Sequence, residues 1–66
     1  MNKIAGYRKM VANNQRTMAD KLGLSLNGYR RKEQGLSEFK PSEMRKFTEE
    51  VRLIKPNVTE QEIFFD

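Results

Sequence analysis

The stretch Gln15-Arg16-Thr17-Met18-Ala19-Asp20-Lys21-Leu22-Gly23-Leu24-Ser25 decides the fold. Asn14, just before it, is a side chain that caps helix N-termini, and Met18, Ala19 and Leu22 then fall on one helical face. The spacing predicts a helix over 15–22 that ends at Gly23, because glycine tolerates the left-handed backbone of a sharp helix stop. Two residues on, Ser25 offers a second N-cap, so another helix is expected from there to about Gln34, closed by Gly35 in the same way. Where the two helices touch, Met18, Leu22, Leu24 and Tyr29 supply apolar side chains, and Ala19 is small enough for a close backbone approach. Lys32, next inward after Tyr29, is the exception. Its stem is expected to lie along the core with the amine in solvent.

The flanking sequence extends the helical pattern. Residues 2–12 carry Ile4, Tyr7, Met10 and Val11 at spacings of three and four, which predicts an amphipathic helix that stops near Asn13-Asn14. Residues 36–40 read as a loop. Pro41 suits the first turn of a further helix, in which Met44, Phe47, Val51 and Ile54 recur on one face until Pro56 forbids continuation. Thr59-Glu60-Gln61-Glu62 matches a capping box, and Val58 and Ile63 are placed as a hydrophobic staple around a terminal helical turn. The expectation is an all-α fold, a compact bundle of five short helices forming one domain over residues 1–66.

Composition narrows the function. The 66 residues include no Cys and no His, which removes disulfides, thiolate metal sites, the commonest metal ligand and the commonest general base. No phosphate-binding glycine loop, nucleophile elbow or metal-ligand cluster is present, so the chain is expected not to be an enzyme, and to use no metal, cofactor or small-molecule substrate. Apolar residues make up 36% and charged residues 33%, enough for a small helical core. No run approaches the ~20 apolar residues of a membrane span, and the opening Met1-Asn2-Lys3-Ile4-Ala5-Gly6-Tyr7-Arg8 never reaches an apolar signal region, so a cytoplasmic protein without membrane partners is expected.

Charge is unevenly distributed. Residues 1–32 hold eight basic side chains against one acid, whereas residues 33–66 hold five basic and eight acidic, within a net charge of +4. A local basic patch is what attraction to a polyanion requires. Two short helices joined by a tight glycine turn inside such a patch form the arrangement that lets a second helix enter the DNA major groove.

The segment Gln15 to Ser25, followed by Glu33-Gln34-Gly35, resembles the helix-turn-helix of Cro/CI-type phage repressors, the XRE family. The resemblance extends back through Ile4, Tyr7 and Arg8, and more weakly forward through residues 41–54 to the ending Val58–Phe65. It implies a lambda-repressor-like DNA-binding domain with its helix-turn-helix at about residues 15–34, acting as a small transcriptional repressor on an operator in double-stranded DNA, as a homodimer. It also implies a partly buried ion pair between Arg8 and Glu33, and a phosphate contact from Gln15 that steadies the recognition helix.

The expected base-reading residues are Leu26, Asn27, Gly28 and Arg31, of which Asn27 and Arg31 match the family's main reading positions. An Asn can make two hydrogen bonds to adenine, an Arg can fork onto guanine O6 and N7, a Leu can pack on a thymine methyl, and Gly28 leaves the backbone free to approach. Expected phosphate contacts are Gln15, Arg16, Ser25, Arg30, Gln34 and Lys40, with a backbone N–H near Gln34 and Gly35 implied by the resemblance. Leu36-Ser37-Glu38-Phe39-Lys40-Pro41 departs from the family as a longer, less basic loop. Phe39, Leu53, Phe64 and Phe65 are candidates for a dimer or partner surface. A second reading keeps the fold but makes the chain an antirepressor, a protein-interaction module that binds another phage regulator. Gly28, Lys32 and the unusual loop favour it.

Overall fold

Capping side chains set the helix boundaries in the computed structural model, which describes residues 2–11 and 13–66. Four α-helices, α1 (Lys3–Met10), α2 (Gln15–Leu22), α3 (Leu26–Glu33) and α4 (Pro41–Arg52), precede a wider, π-type turn, α5 (Gln61–Phe65). No strand occurs among the described residues. The fold is therefore all-α, as the hydrophobic periodicity predicts.

Each cap has a visible cause. Asn14 Oδ1 accepts from Thr17 N–H at 2.7 Å to start α2, and Ser25 Oγ accepts from Gly28 N–H at 3.0 Å to start α3. Gly23 and Gly35 take positive φ of 73° and 83°, which lets Leu24 N–H bond back to Ala19 O and Leu36 N–H to Arg31 O, both at 2.8 Å. At α4, Pro41 occupies the first turn and the Glu43 side chain returns to the Lys40 N–H at 2.9 Å.

The core is made by Met18, Ala19 and Leu22 of α2, Tyr29 of α3, Phe47 and Val51 of α4, and Val58 and Ile63 around the final turn. Ile4, Tyr7, Val11, Leu24, Phe39 and Phe64 pack against it half-buried. α2 lies against both α3 and α4, while α1 lies against α4 and α5. Val58 and Ile63 are both buried, as a staple requires, and Thr59 Oγ1 accepts from Glu62 N–H at 3.2 Å.

Three expectations need correction. α1 runs from Lys3 to Met10 rather than over 2–12, because Asn2 is its cap, its Oδ1 accepting from Ala5 N–H; the expectation for residue 12 lies outside the described residues. Met10, expected on the inner stripe, is 44% exposed. α4 ends at Arg52, so Ile54 leaves the buried row and is 57% exposed. Pro56 disfavours helical backbone at Lys55, and the chain has already turned there to bring Val58 home, with Arg52 Nε donating to Val58 O at 2.8 Å.

Phe39 anchors the 34–40 connection. Its ring centroid lies 5.2 Å from Phe64, 6.2 Å from Phe47 and 6.3 Å from Tyr29, with tilted or edge-on geometry. Phe64 in turn lies 5.5 Å from Phe47. Of the four residues expected at a partner surface, Phe39 and Phe64 are thus spent in large part on this cluster, whereas Leu53 and Phe65 are 74% and 63% exposed. Phe39→Ala is expected to destabilise the isolated chain by about 2–4 kcal/mol, near the lower end of aromatic truncations because the ring is only half-buried. Leu53→Ala and Phe65→Ala should each stay within about 0.5 kcal/mol. Urea unfolding checks all three, and equal effects would contradict this division.

Candidate nucleic-acid interface

Helix α3 carries two faces with different duties. Tyr29 and Glu33 point inward and are buried, while Asn27, Arg30, Arg31 and Gln34 are exposed. These four positions fall three and four residues apart, so they share the outward stripe of the helix. Leu26 and Gly28 flank the stripe, half-buried. Ser25, Arg16 and Lys40 are exposed on the cap of α3, the first turn of α2 and the start of α4.

The inner face of α3 is fixed by an ionic network. Arg8 of α1 donates from Nε to Glu33 Oε2 at 2.8 Å and from a second nitrogen to Oε1 at 3.1 Å, a two-pronged pair whose side chains are 9% and 5% exposed. Arg8 also donates to Asn13 O at 3.1 Å. Gln15 donates from Nε2 to Glu33 Oε1 at 3.1 Å and accepts from Arg30 Nε at 3.1 Å through Oε1. Asn2 Nδ2 donates to the Glu33 backbone carbonyl at 2.7 Å. The resemblance implied the Arg8–Glu33 pair, and the structure contains it. Asn2 and Asn13 are additional members of the network. The helix-capping preference of asparagine marks Asn2 as a helix start, but no sequence signal links it to residue 33.

This geometry sets the protonation states. Burial works against the Glu33 charge, but hydrogen bonds from Arg8 and Gln15 and the Arg8 charge outweigh it and hold the carboxyl below its usual value. The hydrogen bond to Glu33 raises Arg8 against the opposing effect of burial. The Tyr29 hydroxyl, buried beside this pair without completing a hydrogen bond among the described residues, is pushed well above the usual tyrosine range by burial and by the Glu33 carboxylate.

A second pair resolves Lys32. Rather than extending freely into solvent, its amine meets the buried Glu43 carboxylate of α4, and the side chain is 12% exposed. Burial opposes ionisation of Glu43, yet the Lys32 hydrogen bond and the Lys40 N–H hold its carboxyl below the usual value. The partner lies eleven residues away on another helix, so the helical pattern of α3 carries no sign of it.

Several expected contacts acquire constraints. One Nε2 hydrogen and the Oε1 of Gln15 are engaged inside the chain, which gives this residue a positioning role whether or not it meets a phosphate. The backbone N–H groups of Gln34, Gly35 and Leu36 all bond to carbonyls within α3, so none is free for an anion. At Gly28 an added Cβ would stand 3.0 Å from the Ser25 hydroxyl that caps the helix. Glycine there relieves crowding at the cap, alongside any closer backbone approach.

Comparison with protein-family models, curated proteins and solved structures finds no match to this chain. No helix among the described residues is long and apolar enough to cross a membrane, and they contain no group of side chains suited to hold a metal ion.

The shifted carboxyls predict an acid limit. Glu33 and Glu43 bind protons less readily folded than unfolded, where glutamate titrates near 4.5. Their stabilisation is therefore complete above about pH 5 and lost as pH falls through the lower folded-state values. Glu33→Gln should cost about 3–5 kcal/mol at pH 7, since it leaves the Arg8 charge buried without its partner. It should also flatten the loss of stability between pH 5 and 3. Urea unfolding across that range checks the sign, and parallel pH curves for wild type and variant would contradict it.

Proposed function

We propose that this chain is a sequence-specific double-stranded DNA-binding regulator that places α3 in the major groove of an operator. The supporting observation is the division of α3. Its outward stripe offers Asn27 and Arg31 one helical turn apart, both exposed, on a helix held from behind by Arg8, Gln15 and Asn2 through Glu33. Asn and Arg are the side chains best suited to bidentate reading of adenine and guanine, and readout requires a helix that does not rotate under them.

Arg30 shares the exposed stripe with the reading pair and Arg16 is exposed in the first turn of α2; both suit phosphate contacts. The resemblance to Cro/CI-type repressors supports the same reading, as does the excess of basic residues in the first half of the chain. Repression, action in a phage-like switch and a homodimeric complex follow from that resemblance. Two half-sites about one helical turn apart would give a dimer the contact area that one short helix lacks.

Selection of bound duplexes from a random pool at about 0.15 M salt, where purely electrostatic binding is weakened, should enrich a two-fold symmetric site. Asn27→Ala with Arg31→Ala should lose the preference, by roughly 2–6 kcal/mol of discrimination for the two contacts, and retain the wild-type melting temperature. Arg30→Ala should weaken binding to all duplexes alike and reduce the salt dependence. Absence of any enriched site, with the protein folded, would shift the reading to an antirepressor that binds another regulator.

A further inference from the structure

Helix α1 presents a face that the rest of the chain leaves open. A groove of about 550 Å³ runs along it, lined by apolar Ala5, Gly6, Tyr7 and Met10, by Lys3, Lys9 and Lys55, and by Asn2. No residue of α2 or α3 lines it, so it is separate from the stripe assigned to DNA.

Three features define what fits there. The floor is apolar, with Met10 44% exposed. The rim carries three ammonium groups and no carboxylate among the described residues; Lys9 and Lys55 form no ion pair there, and Lys3 reaches only the Asp66 carbonyl, at 3.3 Å. Gly6 sits in the middle of an eight-residue helix, where glycine is among the poorest helix formers. A Cβ at that position would meet nothing within 4 Å, so internal packing does not require the glycine. Its effect is to keep the floor of the groove open.

We propose that this groove docks an acidic amphipathic helical segment of a partner protein. Leucine- or phenylalanine-type side chains would enter over Gly6, and carboxylates would face Lys3, Lys9 and Lys55. The charge of the rim selects an acidic partner. The apolar floor selects one that also presents apolar side chains, which a purely anionic surface lacks. Docking here does not depend on the DNA reading, since no residue of the exposed α3 stripe lines the groove; only Asn2, which bonds to the Glu33 carbonyl, connects the two.

The test uses a fluorescent peptide of ~15 residues, long enough to form a helix, with leucines on one face and glutamates on the other. Anisotropy with the full chain should show saturable binding that weakens with salt. Gly6→Leu fills the groove and replaces a poor helix former with a good one, so the melting temperature should not fall while peptide affinity drops at least tenfold. Lys9→Glu with Lys55→Glu should cause a similar loss, and a peptide with lysines in place of the glutamates should not bind. No binding by the wild-type chain, or binding unchanged by Gly6→Leu, overturns the proposal. So does a wild-type dimer in sedimentation that Gly6→Leu converts to monomer, because the occupant would then be a second copy. Anionic vesicles bound through the groove more tightly than the peptide would overturn it in favour of a lipid surface.

Discussion

The Glu33 carboxylate is the point at which three helices meet. A buried charge is tolerable only when its oxygens are occupied, and here Arg8 of α1 and Gln15 of α2 occupy them while Asn2 takes the carbonyl of the same residue. These bonds are directional, unlike the apolar contacts around them. A core of Met18, Leu22, Tyr29 and Phe47 could accept small rotations of α3 at modest cost, whereas a two-pronged guanidinium–carboxylate pair accepts few. The orientation of the outward stripe of α3 is thus determined from its inner face.

A chain of this size has few apolar residues to spend, and the second half of the sequence shows how the shortage is met. Phe39 and Phe64 close the core from two directions, meeting Phe47 between them. Lys32 and Glu43 close it from a third, through a pair whose two charges are nearly excluded from water. Such a pair adds little net stability over apolar residues of the same shape, but removing either member is costly. Its effect is to fix the start of α4 against the last turn of α3, which is also where the 34–40 connection is fastened by Phe39.

What was legible in the sequence was local. Asn14, Gly23, Ser25, Gly35 and Pro41 each act on backbone within a few residues, so they could be placed before any tertiary contact was known, and the structure uses each as expected. Of the side chains expected to face DNA from α3, Asn27, Arg30 and Arg31 are exposed, whereas Leu26 is half-buried. Contacts between distant segments were not legible in this way. Nothing near Lys32 points to Glu43, and nothing near Asn2 points to residue 33; the Arg8–Glu33 pair was reached only through the resemblance, since a charged residue in each of two amphipathic helices has many potential partners. Ile54 failed for the opposite reason. The apolar spacing of α4 continues past the residue at which the backbone stops being helical, and spacing alone does not register the turn that Lys55 and Pro56 impose.

Internal pairing also reshapes the electrostatic picture drawn from sequence. Of the basic side chains in the first half, Arg8, Lys21 and Lys32 are neutralised by Glu33, Glu50 and Glu43, all from the acidic second half. The charge asymmetry between the halves is therefore partly a folding device, through which the second half holds the first in place. Lys3, Lys9, Arg16, Arg30 and Arg31 form no ion pair among the described residues. They separate into one group on α1 and another on α2 and α3. A single diffuse positive face would favour any polyanion equally. Here there are two groups on different helices, one beside an open apolar groove and the other around an asparagine on a braced helix, and the neutral side chains next to each group differ in what they can recognise.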